Sequence, residues 1–177
     1  MPQSLHIAII GGGAAGFFAA IEAKRNFPHA DITIFEKNSK VLAKVEITGG
    51  GRCNLTNSFE EISDLKQAYP RGHKLMKRLF KRFDYQHAFD WFEENGVPLV
   101  TQEDQCVFPQ SQDSHSIIDC LVNTAKRLGV KIQCNHQLTA ITELEDERLL
   151  LDFKTSSEIR QIAFHRVAIT TGGHPKL

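Results

Sequence analysis

The sequence predicts an α/β fold built on a parallel sheet, and three observations carry that prediction. A short apolar run, His6 to Ile10, ends in glycine and passes at once into good helix formers from Ala14 to Phe27. A second run rich in β-branched residues, Asp31 to Glu36, completes a strand-helix-strand unit, whose strands are expected to lie parallel. The same alternation returns late in the chain, where Ser114 to Leu128 has amphipathic helical spacing, ends at Gly129 and is followed by the strand-like "VKIQC".

The elements follow in order. The first helix stops at Pro28, which cannot donate to a continuing helix. The stretch "KNSKVLAKVEITGGGRCNLTN" lacks clean periodicity and carries a second glycine cluster, so it reads as a long ordered loop or an irregular short pairing. Helical spacing then dominates about residues 58–96. Ser58 and Glu61 have capping-box spacing, Lys74 to Phe83 places apolar residues three to four apart, and Tyr85 to Glu94 runs to a stop at Gly96-Val97-Pro98. Val97 to Phe108 reads as a hairpin or extended pair. About residues 137–164, three strand-like runs, "LTAITEL", "RLLLDFK" and "IRQIAFH", predict an antiparallel three-stranded meander. The last segment, "RVAITTGGHPKL", begins as an apolar strand and turns at Gly172-Gly173.

Composition narrows the class. With 41% hydrophobic and 24% charged residues the chain can bury a core, and gross disorder is excluded. Lys plus Arg and Asp plus Glu both number 21, so the overall balance calls for neither a nucleic acid nor an anionic membrane as partner. Three consecutive glycines and a fourth at Gly16 interrupt the apolar stretch Ile7 to Lys24, which excludes it as a span of the ~20 apolar residues a bilayer crossing needs. Four dispersed cysteines without a C-x-x-C pair, and no signal-peptide pattern, lead us to expect a cytoplasmic setting. The eight histidines, His174 among them, show no i, i+4 pairing or cysteine spacing suited to a metal, and none is expected.

The glycines point to chemistry. Gly11-Gly12-Gly13-Ala14-Ala15-Gly16 fits G-x-G-x-x-G: the first glycine allows a tight turn, the second lets a phosphate approach the backbone, and the third lets helix and strand pack closely. Glu36 stands 20 positions after Gly16, at the end of the next strand, where a carboxylate accepts hydrogen bonds from a ribose 2′-hydroxyl. A carboxylate there disfavours a 2′-phosphate, so the site suits FAD or NAD over NADP. The amides opening the helix carry about half a positive charge, which favours a pyrophosphate. The second cluster, Thr48 to Asn54, offers backbone amides, the Arg52 guanidinium and the Asn54 amide, suited to a phosphate or a flavin edge; the alternative is a structural loop with Arg52 paired to a carboxylate. The third, Thr170 to Gly173, lies at a strand end, where open parallel sheets bind ligands.

The order of G-x-G-x-x-G, Glu36, "GGGRCNLTN" and a late "TTGG" resembles the BaiN/YhiN-type family of NAD(P)/FAD-dependent oxidoreductases, glutathione-reductase-like flavoproteins. The resemblance implies a Rossmann-like FAD-binding domain in which the first glycine loop holds the FAD pyrophosphate, Glu36 the adenosine ribose, and "GGGRCN" approaches the flavin. It implies FAD as cofactor, NAD(P)H as transient electron donor and a small-molecule substrate. The residues expected at the cofactor are Gly11, Gly13, Ala14, Ala15, Gly16, Glu36, Lys37, Gly50, Gly51, Arg52, Cys53, Asn54, Thr171, Gly172 and Gly173. Chains of this family are more than twice as long, so residues 1–177 are expected to be an amino-terminal part, without the inserted domain and the return segment that completes the FAD site. A non-catalytic nucleotide-binding module, or a piece too incomplete to retain FAD, stands as the alternative.

Two further features read as structural. Cys53 has no resolving partner in sequence and reads as a packed cysteine with no catalytic role. Lys74, Lys77, Arg78, Lys81 and Arg82 form a basic face that reads as solvated, offset by Asp84, Asp90, Glu93 and Glu94; nucleic acid is not an expected partner. Phe80, Phe83, Phe89, Trp91 and Phe92 are expected to pack a core.

Overall fold

The structure, a computed structural model, describes residues 4–173; His174, one of the histidines above, lies outside them. Strand β1 (His6–Ile10), helix α1 (Ala14–Asn26) and strand β2 (Asp31–Phe35) form the strand-helix-strand unit. A short helix α2 (Ala43–Ile47), a 3₁₀ turn (Thr48–Gly51) and a two-residue strand β3 (Thr56–Asn57) occupy the stretch without periodicity. Helices α3 (Leu65–Ala68), α4 (His73–Leu79) and α5 (Tyr85–Glu94) precede the hairpin strands β4 (Leu99–Thr101) and β5 (Cys106–Pro109). Helix α6 (His115–Arg127), β6 (Lys131–Gln133), the meander β7 (Gln137–Glu143), β8 (Leu149–Lys154) and β9 (Ile159–Phe164), and β10 (Arg166–Ile169) follow. The α/β class, the parallel sheet and the antiparallel meander are as expected.

The chain divides into two compact units, residues 1–44 with 121–177 and residues 45–120. In the first, four parallel strands run in the order β10-β1-β2-β6. The chain leaves β1 toward β2 on one side and returns beside it as β10 on the other. That reversal makes the carboxyl ends of β1 and β10 the switch point at which open parallel sheets bind ligands. The meander pairs β7-β8-β9 and covers one face of this sheet. Period-two alternation sends Ala8, Ile10 and Phe35 to that face, against Leu151, Phe153 and Phe164; the Phe35 and Phe153 rings stack with centroids 4.2 Å apart. Ile7, Ile9, Ile32 and Ile34, all buried, take the opposite parity, and α1 packs on β1 and β2 through Phe17, Ala20 and Ile21.

In the second unit, β3 and β4 pair antiparallel with β5, and α5 packs on β3 and β4 with Trp91 and Phe92 buried. Phe59, Tyr69 and Phe80 form a separate ring cluster beside α3 and α4. The helix expected from Ser58 does not start there. Ser58 sits at the end of β3, where its amide bonds the Gln105 carbonyl and its hydroxyl donates to Gln105 Oε1 at 2.6 Å, and Phe59 adopts a left-handed φ of 60°. The cap is Asp64, whose carboxylate accepts from Lys66 N. Phe83, expected in a core, is 40% exposed.

Candidate functional site

The first glycine turn is built by close approach. Gly11 has φ +113°, donates its amide to Phe35 O at 2.8 Å, and would bring a Cβ to 2.6 Å from Thr170 O. Gly16, in the first turn of α1, would bring a Cβ to 2.0 Å from Gly11 O and 2.9 Å from Thr170 Oγ1. Two glycines therefore let β1, α1 and the end of β10 meet at the switch point. Gly13 differs: a Cβ there meets nothing within 4 Å. It caps α1 without any side-chain hydrogen bond, and the first turn carries no acid. The first intrahelical bond runs from Phe17 N to Gly13 O, so the amides ahead of it open the helix toward exposed Ala14 and Ala15, an uncompensated positive end fit for an anion.

Glu36 bridges the ends of β1 and β2. Its Oε2 accepts from Gly12 N at 2.9 Å, and Oε1 accepts from both Asn38 N and Asn38 Nδ2 at 2.9 Å. A carboxylate offers about four acceptor positions, so one remains, on Oε2. Lys37, next along, is exposed. At the other strand end, the Thr170 hydroxyl reaches Ile10 O at 2.9 Å and Gly11 O at 3.1 Å. Thr171, Gly172 and Gly173 follow exposed, Gly172 with φ +70°, and Lys44 Nζ reaches Gly173 O at 3.5 Å. Gly12, Asn38 and Thr170 join this site beyond the residues expected at the cofactor, Gly12 and Thr170 from within the two glycine clusters that the sequence singles out. Asn38 had a local signal, a short amide side chain two residues after the acid; for Gly12 and Thr170 the clusters were legible but their partners, Glu36 and Gly11, were not.

The second glycine segment lies in the other unit. Gly49, Gly50 and Gly51 all have left-handed φ, as does Cys53 at 61°. Among the described residues Arg52 pairs with no carboxylate: its Nε donates to Gly49 O, Nη1 donates to Gln112 Oε1 at 3.2 Å, and the guanidinium lies over the Phe108 ring, 4.3 Å from its centroid. Gly50 is exposed, with open space where a Cβ would stand, and Asn54 is exposed with its Nδ2 on Cys106 Sγ. Cys53 is 5% exposed and burial pushes its thiol up, so it rests as a thiol, as its reading as a packed residue expects.

Ser114, 1% exposed, closes this segment by donating its amide to Gly51 O and its hydroxyl to Glu46 O. The next residue, His115, meets Asp113 Oδ1 through Nδ1 at 2.9 Å and Glu46 Oε1 through Nε2 at 3.9 Å. The Asp113 hydrogen bond and charge hold the imidazole above its ordinary value, and the His115 backbone and side chain hold Asp113 below the usual carboxylate range. A raised histidine stabilises below its ordinary value and loses that as pH rises through the folded value; a lowered aspartate stabilises above its ordinary value and loses that as pH falls. The contact is therefore fully formed between about pH 4 and pH 6.5. We expect the His115 ring to titrate above an ordinary histidine by NMR and to fall back in Asp113→Asn; an unchanged midpoint in that variant would show that the pair does not form in solution.

Among the described residues, no group of three or more His, Cys, Asp and Glu side chains is placed to hold a metal, no disulfide is present, and no helix is long and apolar enough to cross a membrane.

The chain is similar to known proteins. The chain is 31% identical over 135 residues to the 3-dehydro-bile acid delta(4,6)-reductase of Clostridium scindens, covering 76% of this chain and 32% of that protein. It is 24% identical over 174 residues to the ribosomal RNA dihydrouridine synthase of Haemophilus influenzae, covering 98% of this chain and 41% of the relative. The chain thus spans about a third to two-fifths of the length of these curated relatives. In fold it resembles the 3-ketosteroid-delta4-(5alpha)-dehydrogenase of Rhodococcus jostii RHA1, with TM-score 0.70 and 16% identity over 97% of this chain and 47% of the other. The HI0933-like protein Rossmann domain family matches residues 5–176, nearly the whole chain, and the chain belongs to that family.

Proposed function

We propose that this chain supplies the dinucleotide-binding part of an FAD-dependent oxidoreductase, supplied with electrons by NAD(P)H, that reduces a carbon–carbon double bond conjugated to a carbonyl. One observation carries the cofactor reading: at the switch point of the parallel sheet, an uncapped helix end faces open space over Gly13 while Glu36 keeps one acceptor position on Oε2. The amides of Gly13, Ala14, Ala15 and Gly16, ahead of the first intrahelical bond, fit a pyrophosphate, with Gly11, whose own amide is held by Phe35 O, shaping the turn beneath it; Glu36, with Lys37 beside it, fits a ribose diol. Thr171, Gly172 and Gly173 border the same turn. Gly50, Gly51, Arg52, Cys53 and Asn54 are assigned to the flavin side on the family resemblance: Gly50 and Asn54 are exposed, Gly51 and Arg52 half-buried with Arg52 held over Phe108, and Cys53 is buried.

The substrate class rests on the relatives. A delta(4,6)-reductase of a 3-dehydro-bile acid and a synthase of dihydrouridine both name the saturation of an alkene conjugated to a carbonyl. Held by the α1 amides and Glu36, FAD would supply the relay of a hydride from NAD(P)H, which would become NAD(P)⁺, to the carbon β to the carbonyl, and solvent or a side chain would supply the proton for the α carbon. A reducing, cytoplasmic location is part of the proposal, supported by four cysteines without a disulfide.

The test is uptake of FAD by the purified protein, followed by anaerobic addition of NADH or NADPH. We expect a yellow protein, stabilised by about 2.7 kcal/mol when FAD is at 100 times its Kd, whose colour bleaches with one of the two nicotinamides. Residues 1–177 whose thermal stability is indifferent to FAD favour a piece too incomplete to retain it, whereas a full-length protein that takes up no FAD refutes the cofactor reading. One that binds FAD but is never bleached refutes NAD(P)H as donor and favours a non-catalytic nucleotide-binding module.

A further inference from the structure

A pyrophosphate over Gly13 brings about two negative charges to a turn whose own groups do not balance them. The end of α1 contributes about half a positive charge. Glu36 is itself an acid, and Lys37 beside it offsets no more than that carboxylate. About one and a half negative charges are left over, and a dianion held only by backbone amides binds weakly unless a further cation meets that excess.

Lys44 is placed to supply it, within the same compact unit as the turn. The segment after β2 lies against the glycines: Gly12 N donates to Glu36 Oε2 at 2.9 Å, Leu42 N donates to Gly12 O at 2.7 Å, and a Cβ on Gly12 would stand 2.8 Å from Val41 Cγ1. Leu42 is 2% exposed, which fixes that anchor. Two residues on, Lys44 is exposed, and its Nζ reaches Gly173 O at 3.5 Å. Gly173 stands three residues after Thr170, whose hydroxyl reaches Gly11 O. Lys44 therefore bridges from the Gly12 side of the switch point to the end that follows β10. Its Cα is within about 8 Å of the Leu42 Cα, and its stem spans about 6 Å, so the ammonium can swing between Gly173 O and the open space over Gly13.

The ammonium is uncommitted. It has three N–H donors, its contact with Gly173 O is long and to a neutral group, and among the described residues it enters no ion pair. We propose that Lys44 is a further cofactor-binding residue, whose ammonium moves onto the pyrophosphate of bound FAD and supplies the countercharge that the α1 amides lack. This rests on the reading of the turn as a dinucleotide site. The competing role is a latch, in which Lys44 merely steadies Gly173.

The test is titration of FAD into the full-length protein at 50 and 500 mM salt, read by quenching of flavin fluorescence. At 50 mM salt Lys44→Gln should weaken FAD about 10- to 100-fold, the range for a lost charge-assisted hydrogen bond, and Lys44→Arg should stay within about threefold of the parent. At 500 mM salt, where the screening length falls to about 4 Å, the gap between the parent and Lys44→Gln should narrow at least threefold. Lys154→Gln, at an exposed position on the meander, should bind within about twofold of the parent at both salt concentrations. Without FAD every variant should melt with the parent, because each changed side chain is exposed. An affinity in Lys44→Gln equal to the parent's overturns the inference. So does a loss that salt leaves unchanged or that Lys44→Arg shares, either of which makes the lysine a latch. A parent that takes up no FAD removes the dinucleotide reading and this inference with it, whereas a parent and a Lys44→Gln variant that bind FAD equally remove this inference alone.

Discussion

Gly16→Ala is expected to cost about 3 kcal/mol of stability and to abolish FAD binding, whereas Gly13→Ala three positions earlier should fold nearly as well and still lose FAD. The contrast comes from what a methyl group meets. At Gly16 it would lie 2.0 Å from the Gly11 carbonyl oxygen, a backbone atom that cannot swing aside. Gly11 is pinned from both directions, its amide on Phe35 O and its carbonyl under the Thr170 hydroxyl, so relief requires moving the ends of β1, β2 and β10 or the start of α1. In a chain of this size 3 kcal/mol lowers Tm by about 6–12 °C.

At Gly13 the methyl group points into open space, and the backbone, φ −90° and ψ −176°, is one that alanine adopts. The expected loss of stability is about 0.5 kcal/mol, the difference between glycine and alanine at a helix cap. The open space over Gly13 is where the pyrophosphate is proposed to sit, and filling it should weaken FAD at least tenfold, about 1.4 kcal/mol. Thermal melts with and without FAD read both quantities. If Gly13→Ala binds FAD as the parent does, the pyrophosphate does not lie over that residue. If Gly16→Ala melts with the parent, the turn is looser than its geometry.

What the sequence made legible was whatever repeats or spaces itself locally. Strand β1, the glycine turn, α1 and β2 follow from an apolar run, G-x-G-x-x-G and a β-branched run; α5 ends where Gly96-Val97-Pro98 says it must; three apolar runs between polar turns give the meander. What escaped depends on residues far apart in the chain. Thr56 and Asn57 become a strand only because Val107 and Cys106 pair with them, and two residues carry no period of their own. Ser58 has the spacing of a capping box, but Gln105, 47 residues later, takes its hydroxyl. In the candidate site, spacing pointed to Gly11, Gly16 and Glu36. It did not point to the contact of Thr170 with Gly11, which exists only because β10 pairs with β1, nor to the bond from Gly12 to Glu36, which exists only once β1 and β2 lie side by side.

That bond makes Glu36→Gln the second large effect. The carboxylate accepts three donors, Gly12 N on one oxygen and both Asn38 groups on the other. An amide must turn its NH₂ toward one set or the other; the lesser loss faces it to Gly12 N, setting donor against donor. A hydrogen bond to a charged acceptor contributes about 1.5–3 kcal/mol, so a loss of about 2 kcal/mol is expected, together with at least a tenfold loss of FAD affinity as the last acceptor position on Oε2 disappears. Asn38→Ala separates anchoring from recognition. It deletes one donor to Oε1, should cost about 1 kcal/mol, and leaves the Oε2 acceptor in place, so FAD should bind as to the parent. A purely structural Glu36 would predict the same stability losses, but not a change in which nucleotide is preferred. The parent should bind ADP better than its 2′-phosphorylated form, because the carboxylate repels that phosphate, and Glu36→Gln should narrow the gap. Titrating both ligands into parent and variant decides between the two roles: equal losses for the two nucleotides would leave Glu36 a brace between strands and nothing more.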